Sequence, residues 1–419
     1  YLLNIAVVNR DFENEAIAST AFAILNPLVG CSELYLYHLL RSTYFIEYVE
    51  STMKGVAYPA INDSNLLNGL ISVPPLEEQK AIVSTVNQLF KEIEELEKQT
   101  KTRIQLKGDF VTSALQQLAN GETAKEWTFL QEHFRTFFTE KTAVKKLRES
   151  ILQLAVQGKL TKHWREEHAL SGVEVESAAT LLERIKTEKA QLIADKKIRK
   201  EKPLPEITED EISYSLPEGW EWCRLKGLGV ITVGGTPSKS KSIYWGGNIP
   251  WVSPKDMKSE FINSSQDMIT PEAIKNSSTK LIPKGSLLIV GRSGILKRTI
   301  PISINNVECT VNQDMKVVVP YIGHMNVFIK LALKGMETYL LKEYVKYGMT
   351  VHSLKYSEFE LLPVPLPPLE EQKAIVTKVN ALMAFCDTLE KKIEQNTQHL
   401  EQLMKSCLRE VFEEERELI

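Results

Sequence analysis

The stretch Pro74-Pro-Leu-Glu-Glu-Gln-Lys-Ala-Ile-Val83 occurs a second time, unchanged, at Pro367–Val376. When both copies are extended to Asn87 and Asn380, twelve of the fourteen positions are identical. Each copy begins with a Pro-Pro pair and then places two glutamates where the positive end of a helix dipole stabilises carboxylates. The spacing between the copies is too long for a solenoid repeat. It predicts a duplicated module, which consists of one domain followed by one long helix.

Each copy is followed by a narrow apolar stripe with steps of three and four residues. The stripe residues are Ile82, Val86, Leu89, Ile93 and Leu96 in the first copy, and Ile375, Val379, Leu382, Cys386, Leu389 and Ile393 in the second. Such steps are typical of a coiled-coil seam rather than of a broad globular stripe. We predict helices over 76–118 and 369–415, each roughly 65 Å long. A general dimerisation coil is the alternative interpretation of this seam.

The composition indicates a globular chain of two or three domains, with 419 residues of which 43% are hydrophobic and 25% charged. The formal net charge of −3 does not by itself indicate a nucleic-acid binder, although Glu-rich helices can mask a basic face. The cysteines are scattered without Cys-x-x-Cys spacing, so we expect reduced thiols in a cytoplasmic protein and no zinc site. We expect neither a membrane span nor a signal peptide.

The region 216–366 differs in character from the helical segments around it. Gly and Pro separate short β-branched runs such as Val230–Val233 and Ser286–Val290, which predicts an α+β domain with a curved sheet. Residues 1–75 have β-like runs at 5–8 and 21–25 and a helical pattern at 34–49. On the repeat alignment they match only the C-terminal half of the second domain. The sequence also begins in mid-pattern without Met, so we expect the first domain to be N-terminally incomplete.

The sequence lacks the catalytic motifs that would indicate an enzyme. It contains no GxxxxGK[ST] phosphate loop, no HExxH, and no Asn/Asp-Pro-Pro-aromatic tetrad of the kind expected in an amino-methyltransferase. Most carboxylates lie on helices four residues from lysines, which is typical of a solvated face. We therefore predict no catalytic site and no metal site in this chain.

Two Gly-rich basic loops in the second domain are candidate DNA contacts. One follows an apolar strand at Gly291–Thr299, and the other spans Gly234–Asn248. Lysines in such loops suit phosphate contacts, and an arginine can also read a guanine edge. The candidate residues are Arg292, Ser293, Lys297, Arg298, Lys239, Lys241, Lys255 and Asn312. An ordinary charged surface loop is the alternative, and we expect Trp245 and Trp251 in the core rather than stacked on bases.

Several stretches resemble the specificity subunits of Type I restriction–modification enzymes. They are Leu216-Pro-Glu-Gly-Trp-Glu-Trp222, Gly235-Thr-Pro-Ser238, Tyr244-Trp-Gly-Gly-Asn-Ile-Pro-Trp-Val252, Val311-Asn-Gln-Asp-Met315, Leu147–Leu160, Leu181–Lys189 and the repeated Pro-Pro-Leu-Glu-Glu-Gln. The repeated stretch is the most specific of these, and the resemblance covers essentially the whole chain apart from its start.

The resemblance implies an α+β fold with two target recognition domains, which two long antiparallel coiled-coil helices hold apart. The C-terminal part of a first recognition domain would then occupy 1–75, and a first conserved region with its spacer helix 76–215. A second recognition domain would occupy 216–366 and a second conserved spacer helix 367–419. The seam residues expected to pair are Val86, Leu89, Ile93, Leu96, Val379, Leu382, Leu389 and Ile393.

The same resemblance implies a non-catalytic subunit that reads a bipartite site in double-stranded DNA. Its expected partners are two modification (methyltransferase) subunits and restriction (translocase and endonuclease) subunits. No cofactor is expected in this chain, since S-adenosylmethionine would bind the modification subunit. The residues leave two other functions open, namely an enzyme with divergent methyltransferase motifs and a scaffold that does not contact DNA. Binding of S-adenosylmethionine by the isolated chain would indicate the first, and failure to bind DNA the second.

Overall fold

The computed structural model describes residues 4–8, 17–19, 21–54, 60–120, 128, 132–134, 136–171 and 175–413. Two compact units make up the chain, Tyr1–Leu106 and Lys107–Ile419. One helix, Leu76–Asn120, begins in the first unit and ends in the second.

The first unit is helical in its described part. Its helices are α1 (Glu33–Leu40), α2 (Thr43–Thr52), α3 (Asp63–Leu67) and the first two thirds of α4 (Leu76–Asn120). The single helix predicted at 34–49 is wrong, because the Ser42 side chain accepts from the Phe45 N–H and starts a new helix there. The β-like runs at 5–8 and 21–25 are not strands, and neither has a partner strand among the described residues.

The glutamine of the repeated stretch anchors α4 within the first unit. Gln79 is fully buried. Its Nε2 donates to the carbonyl oxygens of Gly30 (2.9 Å) and Pro74 (2.7 Å), and its Oε1 accepts from the Ser32 N–H at 2.7 Å. An amide that satisfies three backbone groups in a buried site explains why a glutamine occupies this position.

In its described residues, the second unit combines helices with four small sheets. Its elements in chain order, after the end of α4, are α5 (Lys141–Val156), α6 (Lys162–Ser171), α7 (Ala178–Ala194), β1 (Glu221–Arg224), α8 (Leu225–Leu228), β2 (Gly229–Val233), β3 (Trp245–Val252), β4 (Phe261–Ile262), β5 (Asp267–Ile269), α9 (Pro271–Lys275), β6 (Leu287–Val290), β7 (Arg292–Ser293), β8 (Ile302–Asn305), β9 (Thr310–Val311), β10 (Met315–Pro320), α10 (Asn326–Gly335), α11 (Glu337–Glu343), β11 (Val345–Lys346), β12 (His352–Leu354), α12 (Tyr356–Phe359), β13 (Pro363–Leu366) and α13 (Leu369–Glu413).

The largest sheet has the order β2-β10-β6-β8-β4, and β6 at its centre is buried along its whole length. The other sheets have the orders β11-β12-β7, β5-β3-β9 and β1-β13. Pairing is antiparallel except between β3 and β9 and between β4 and β8, which run parallel. The prolines of β13 lie in a two-stranded sheet, where a residue without an N–H is tolerated at the unpaired edge.

The helices α5, α10 and α13 pack together beside the sheets. Gly335 at the end of α10 lies so close to α5 that an added Cβ would be 2.7 Å from the Leu152 carbonyl oxygen. The α13 residues Ile375, Val379 and Cys386 are buried in the main core, which also contains Val144, Leu147 and Ile151 of α5. In the second unit, therefore, the seam of α13 packs against α5.

The α+β class and the two long helices are confirmed. We predicted the helices at 76–118 and 369–415, and they span Leu76–Asn120 and Leu369–Glu413. Their antiparallel pairing stays a prediction, because α13 and most of α4 belong to different units. None of the described helices is long and apolar enough to cross a membrane.

Candidate nucleic-acid interface

Three separate segments meet at the turn Asn312–Met315 between β9 and β10, here called the central turn. The Asn312 N–H donates to the Val252 carbonyl at 2.9 Å, at the end of β3. The Gly235 N–H donates to the Val311 carbonyl at 2.9 Å, just before the turn. The Asp314 carbonyl accepts from Gly291 (2.7 Å) and Arg292 (3.0 Å). The loops that contain Lys255, Lys239 and Arg292 are thus fixed to one turn.

Asn312 has a structural role in this turn rather than a place on its surface. It is 7% exposed. Its Oδ1 accepts from the Asp314 N–H at 3.1 Å, and its Nδ2 donates to Asp314 Oδ2 at 3.3 Å. Both polar groups of the amide are therefore engaged within the turn. The structure places the Asn312 side chain inside the turn, and its role as a DNA contact stays a prediction.

The predicted loop Gly291–Thr299, called the Arg292 loop below, is more ordered than an ordinary surface loop. Arg292 and Ser293 form β7, which pairs with β12 opposite Ser353 and His352. A 3-10 turn follows at Gly294–Lys297, where the Ser293 hydroxyl accepts from the Ile295 N–H at 3.3 Å. At the far end, Glu337 Oε1 accepts from the Thr299 hydroxyl at 2.7 Å and the Ile300 N–H at 2.6 Å. The exposed Arg292, Lys297 and Arg298 are therefore held on a fixed backbone.

The Gly234–Asn248 segment is held by two tryptophans that serve as packing residues. Trp251 Nε1 donates to the Gly235 carbonyl at 3.0 Å, and Trp245 Nε1 to the Ser238 carbonyl at 3.2 Å. The two rings meet edge to face with centroids 5.2 Å apart. The prediction that both belong to the core rather than to a base-stacking surface agrees with these contacts, since both indole N–H groups are already bonded to backbone.

The lysines of the Lys239 and Lys255 segments differ in whether another side chain restricts their ammonium groups. Lys239 and Lys255 are exposed. Lys241 is also exposed, but its Nζ lies 3.2 Å from the Tyr244 hydroxyl and 5.2 Å from the centre of the ring. The tyrosine thus limits where the Lys241 ammonium can reach. The structure brings the Lys239, Lys255 and Arg292 segments to the central turn. The Arg292 loop continues from there to Lys297 and Arg298.

Sequence reasoning missed the β11–β12 hairpin beside the Arg292 loop. Lys346, Tyr347, Met349 and Val351 are exposed on this hairpin. The hairpin tip is close to the Arg292 loop, because a Cβ on Gly294 would lie 3.3 Å from the Thr350 carbonyl oxygen. Strands of two and three residues are too short to show an alternating apolar pattern in the sequence. Only the pairing of β12 with β7 identifies these residues as neighbours of Arg292.

Near the central turn, Lys316 is a cation of a different kind. Its Nζ lies 4.5 Å from the centre of the Tyr356 ring. Burial lowers the pKa of this ammonium group, while the charge of Asp314 opposes the shift. Lys316 therefore belongs to the packing beneath the Arg292 loop rather than to its exposed cations.

The seam residues proposed for the spacer lie in two contrasting environments. Val379 is buried in the core of the second unit, and Leu382, Leu389 and Ile393 pack against that core. On α4, Leu89, Ile93 and Leu96 are 52%, 50% and 61% exposed, while Val86 is half-buried. The sequence predicted that all eight residues pair in the seam between the two long helices. The structure gives the four α13 residues a role within their own unit.

The start of α13 is fixed to the second domain by a buried carboxylate. Glu371, in the repeated stretch, is 1% exposed. It accepts hydrogen bonds from Thr161 Oγ1 and Trp220 Nε1, both at 2.7 Å, and from Arg165. Three donors around one buried carboxylate offset the cost of its desolvation. This contact joins the start of α13 to Trp220, which directly precedes β1.

Comparison with known proteins identifies the family. The profile described as Type I restriction modification DNA specificity domain matches residues 6–106 and 217–398. The chain belongs to this family. The two matched regions include both copies of the repeated stretch, the central turn and the Arg292 loop, so the predicted resemblance is confirmed.

Individual relatives agree with the profile. The chain is 31% identical to the Type I restriction enzyme EcoAI specificity subunit of Escherichia coli, over 94% of this chain and 70% of that protein. It is 27% identical to the EcoEI specificity subunit of the same species, over 91% of this chain and 65% of that protein. A solved structure, the HsdS subunit from Thermoanaerobacter tengcongensis, aligns at 19% identity with a TM-score of 0.38, covering 89% of this chain and 69% of that one. The family assignment therefore rests on sequence.

Proposed function

We propose that this chain is a non-catalytic subunit that reads a DNA sequence and directs other subunits to it. The observation that supports this function most directly is the convergence of three loops on the central turn, within the region that matches a DNA specificity domain. The exposed cations Arg292, Lys297, Arg298, Lys239 and Lys255 all lie on these loops. A surface of this kind can neutralise phosphates and present a guanidinium to base edges.

Arg292 is the best candidate for reading a base. It lies on a short strand paired on one side with β12, and its backbone N–H is bonded to Asp314. A side chain on a fixed backbone can be aimed at one base edge, where an arginine makes two parallel bonds to guanine O6 and N7. Lys297 ends the 3-10 turn and Arg298 follows it. Both suit contacts to phosphate oxygens, which fix the register on the duplex. Exposed Tyr347 and Met349 on the adjacent hairpin add apolar contact area.

The bipartite site and the spacer follow from the duplicated module. Helices α4 and α13 each have 45 residues, so each extends over roughly 68 Å. We propose that they hold two recognition domains apart and so set the distance between two half-sites. The part of α13 beyond Ile393 has exposed apolar residues that remain available for helix pairing, namely Leu400, Leu403, Met404 and Leu408.

The partners of the chain follow from the same proposal. Two modification subunits would supply methyl transfer with S-adenosylmethionine, and restriction subunits would supply translocation and cleavage. The relatives are named as specificity subunits of Type I restriction enzymes, which supports this division of labour. Among the described residues, no cluster of three or more His, Cys, Asp or Glu side chains could hold a metal ion.

A domain exchange tests the proposed function. The chain is produced with its modification subunits in cells, and methylated positions are mapped by single-molecule sequencing of the genome. Residues 216–366 are then replaced by the corresponding domain of a related chain. We expect one half-site to change while the other half-site and the gap stay the same. An unchanged site, or methylation by the chain without modification subunits, would contradict the proposal.

A further inference from the structure

The small sheet β11-β12-β7 has one buried face and one exposed face, and the exposed face carries two cations in a row. Lys346 pairs with Ser353, which in turn pairs with Arg292. Residues directly opposite each other in neighbouring strands project to the same face, and such strands lie about 4.8 Å apart. Lys346 and Arg292 are both exposed, so their backbones lie roughly 10 Å apart on one face. On the other face, Val345 and Leu354 are buried in the main core.

The hairpin tip, residues 347–351, connects β11 to β12 and carries three exposed apolar side chains. Met349 is fully exposed, Tyr347 is 52% exposed and Val351 43%. The tip lies beside the 3-10 turn of the Arg292 loop, since a Cβ added to Gly294 would be 3.3 Å from the Thr350 carbonyl oxygen. An apolar cluster with the cations of the Arg292 loop at its side suits a ligand that is partly apolar and partly anionic.

The hairpin tip is fixed by contacts of its own backbone and of Tyr347. The Gly348 N–H donates to His352 Nδ1 at 3.3 Å. The Tyr347 hydroxyl donates to the Leu341 carbonyl at 2.7 Å, and its ring meets the His352 ring edge to face with centroids 5.1 Å apart. Tyr347 therefore supports the tip, whereas Met349 projects from it with its whole side chain exposed.

An antiparallel pair closes a loop at the same place of the repeat in the first unit. Lys54 and Ala60 form a bridge with two backbone hydrogen bonds of 3.0 Å. On the repeat alignment they correspond to Tyr347 and Ser353. The residues between them differ in sequence, since Met-Thr-Val at 349–351 corresponds to Val-Ala-Tyr at 56–58. Binding residues are typically carried on loops that a rigid scaffold positions, so a repeated frame with different side chains favours a recognition role.

The dimensions of DNA decide which groove this hairpin can enter. The major groove, about 12 Å wide, admits a two-stranded ribbon, whereas the minor groove is only about 6 Å wide. Arg292, on the strand next to β12, is the candidate for reading guanine in the major groove. The hairpin tip therefore faces the same groove, where the apolar feature of the base edges is the C5-methyl group of thymine.

We propose that Met349 contacts the C5-methyl group of a thymine and so specifies an A·T pair close to the base pair that Arg292 reads. This inference rests on the proposed DNA-reading function. An unbranched, polarisable thioether side chain adapts well to a methyl group. Cytosine presents an amino donor at the same edge of the groove, and the thioether sulfur is only a weak acceptor for it. Met349 therefore discriminates against cytosine at this position.

Replacement of thymine by deoxyuridine tests the contact, because it removes one methyl group from the base. The probe is a fluorescent duplex that the full chain selects from random-sequence DNA, with each thymine replaced in turn and binding followed by anisotropy. We expect one position at which deoxyuridine lowers the affinity of the natural chain about fourfold, the effect of one buried methyl group. In Met349→Ala, affinity for the thymine duplex should fall about fourfold or more, and deoxyuridine at that position should have no further effect.

Two further variants show whether the effect belongs to the Met349 side chain. Met349→Leu keeps an apolar side chain of similar size and should retain the sensitivity to deoxyuridine. The matched control is Leu170→Ala on α6, which truncates a side chain that is 88% exposed and lies outside the three loops of the central turn. This control should bind the thymine and deoxyuridine duplexes as the natural chain does.

Several results would overturn the inference. They are unchanged affinity of Met349→Ala, an equal deoxyuridine effect in Met349→Ala and the natural chain, and a selected site without thymine. Loss of affinity in Met349→Ala without a deoxyuridine effect in the natural chain would also overturn it, since the tip would then act as a wedge between base steps or contact the DNA backbone. Selection of no sequence would overturn the proposed function as well. A chain that selects a sequence through Arg292 but not through Met349 would overturn this inference alone.

Discussion

Trp220 Nε1 donates a hydrogen bond of 2.7 Å to Glu371 Oε2 across 151 residues of sequence. Trp220 directly precedes β1, and Glu371 lies in the first turn of α13, which follows β13. Because β1 and β13 pair antiparallel, the first and last strands of the second unit bring these two residues together. The domain therefore leaves and rejoins the helical framework at one point, and Glu371 fixes that point.

We expect Glu371→Gln to destabilise the second unit by about 2–4 kcal/mol, because the substitution leaves buried donors from Thr161, Arg165 and Trp220 competing for one acceptor. Urea unfolding followed by tryptophan fluorescence measures the change. The matched control is Glu78→Gln at the equivalent exposed position of α4, which should change stability by no more than about 0.5 kcal/mol. Equal effects of the two substitutions would show that the hydrogen bonds of Glu371 do not stabilise the second unit.

The cations of the Arg292 loop should separate into two classes. Arg292→Ala should cost roughly 1–3 kcal/mol of binding free energy at one base pair, whereas Lys297→Ala should weaken all sequences alike and lower the salt slope by about one unit. Salt titrations of DNA binding, with the cognate site and single-base variants, distinguish these results. Lys284→Ala, at the other end of β6 from Arg292, is the control and should have no effect. Unchanged affinity and slope in both loop variants would place the interface elsewhere.

Asn312→Ala should lower stability by about 1–3 kcal/mol, since the Asp314 N–H loses its buried acceptor. DNA affinity should fall along with it, because the central turn fixes the Lys255, Lys239 and Arg292 segments. Thermal unfolding and DNA binding are measured on the same preparation. Asn248→Ala is the control, since Asn248 is exposed on the neighbouring strand β3. A fully stable Asn312→Ala variant would show that the turn does not depend on this amide.

Stability should depend on pH through Glu211. Its hydrogen bonds with Arg224, at 2.6 and 2.8 Å, lower the pKa of its carboxyl group to about 2. An unfolded glutamate has a pKa of about 4.3, so the stabilisation is fully present above about pH 5 and is lost as the pH falls toward 2. We expect Glu211→Gln to be less stable at neutral pH and to have a weaker pH dependence of the unfolding free energy below about pH 5. Glu209→Gln, at an exposed position two residues away, should keep the natural dependence.

The spacing of the half-sites should follow the length of the long helices. Inserting four residues after Lys98 in α4 and four after Gln398 in α13 adds about 6 Å to each helix and just over one turn of rotation. The insertion in α13 lies beyond Ile393, so it does not disturb the α13 residues that pack against α5. Since B-DNA rises about 3.4 Å per base pair, the preferred gap should lengthen by one or two base pairs with both half-sites unchanged. Methylation mapping decides the outcome, and an active variant with the natural gap would count against a spacer role.

The contrast between Glu371 and Glu78 shows how far local sequence determines this protein. The repeated Pro-Pro-Leu-Glu-Glu-Gln stretch and the steps of its apolar residues predicted two long helices, and they begin where expected, at Leu76 and Leu369. Helix starts and seams depend on neighbouring residues along the chain, so a sequence reports them directly. Identical residues nevertheless reach opposite degrees of burial, because burial depends on which distant segment packs on the helix.

The sequence by itself determined the duplicated module, the α+β class, the family and the basic character of the Arg292 loop. Only the tertiary structure decided that α5 covers α13, that Asn312 is a turn residue, and that the hairpin bearing Tyr347 and Met349 lies beside Arg292. Each of these depends on hydrogen bonds or packing between residues far apart in the chain, such as Arg148 with Asp387. Such contacts leave no periodic trace in the sequence, and they form only when the whole unit folds.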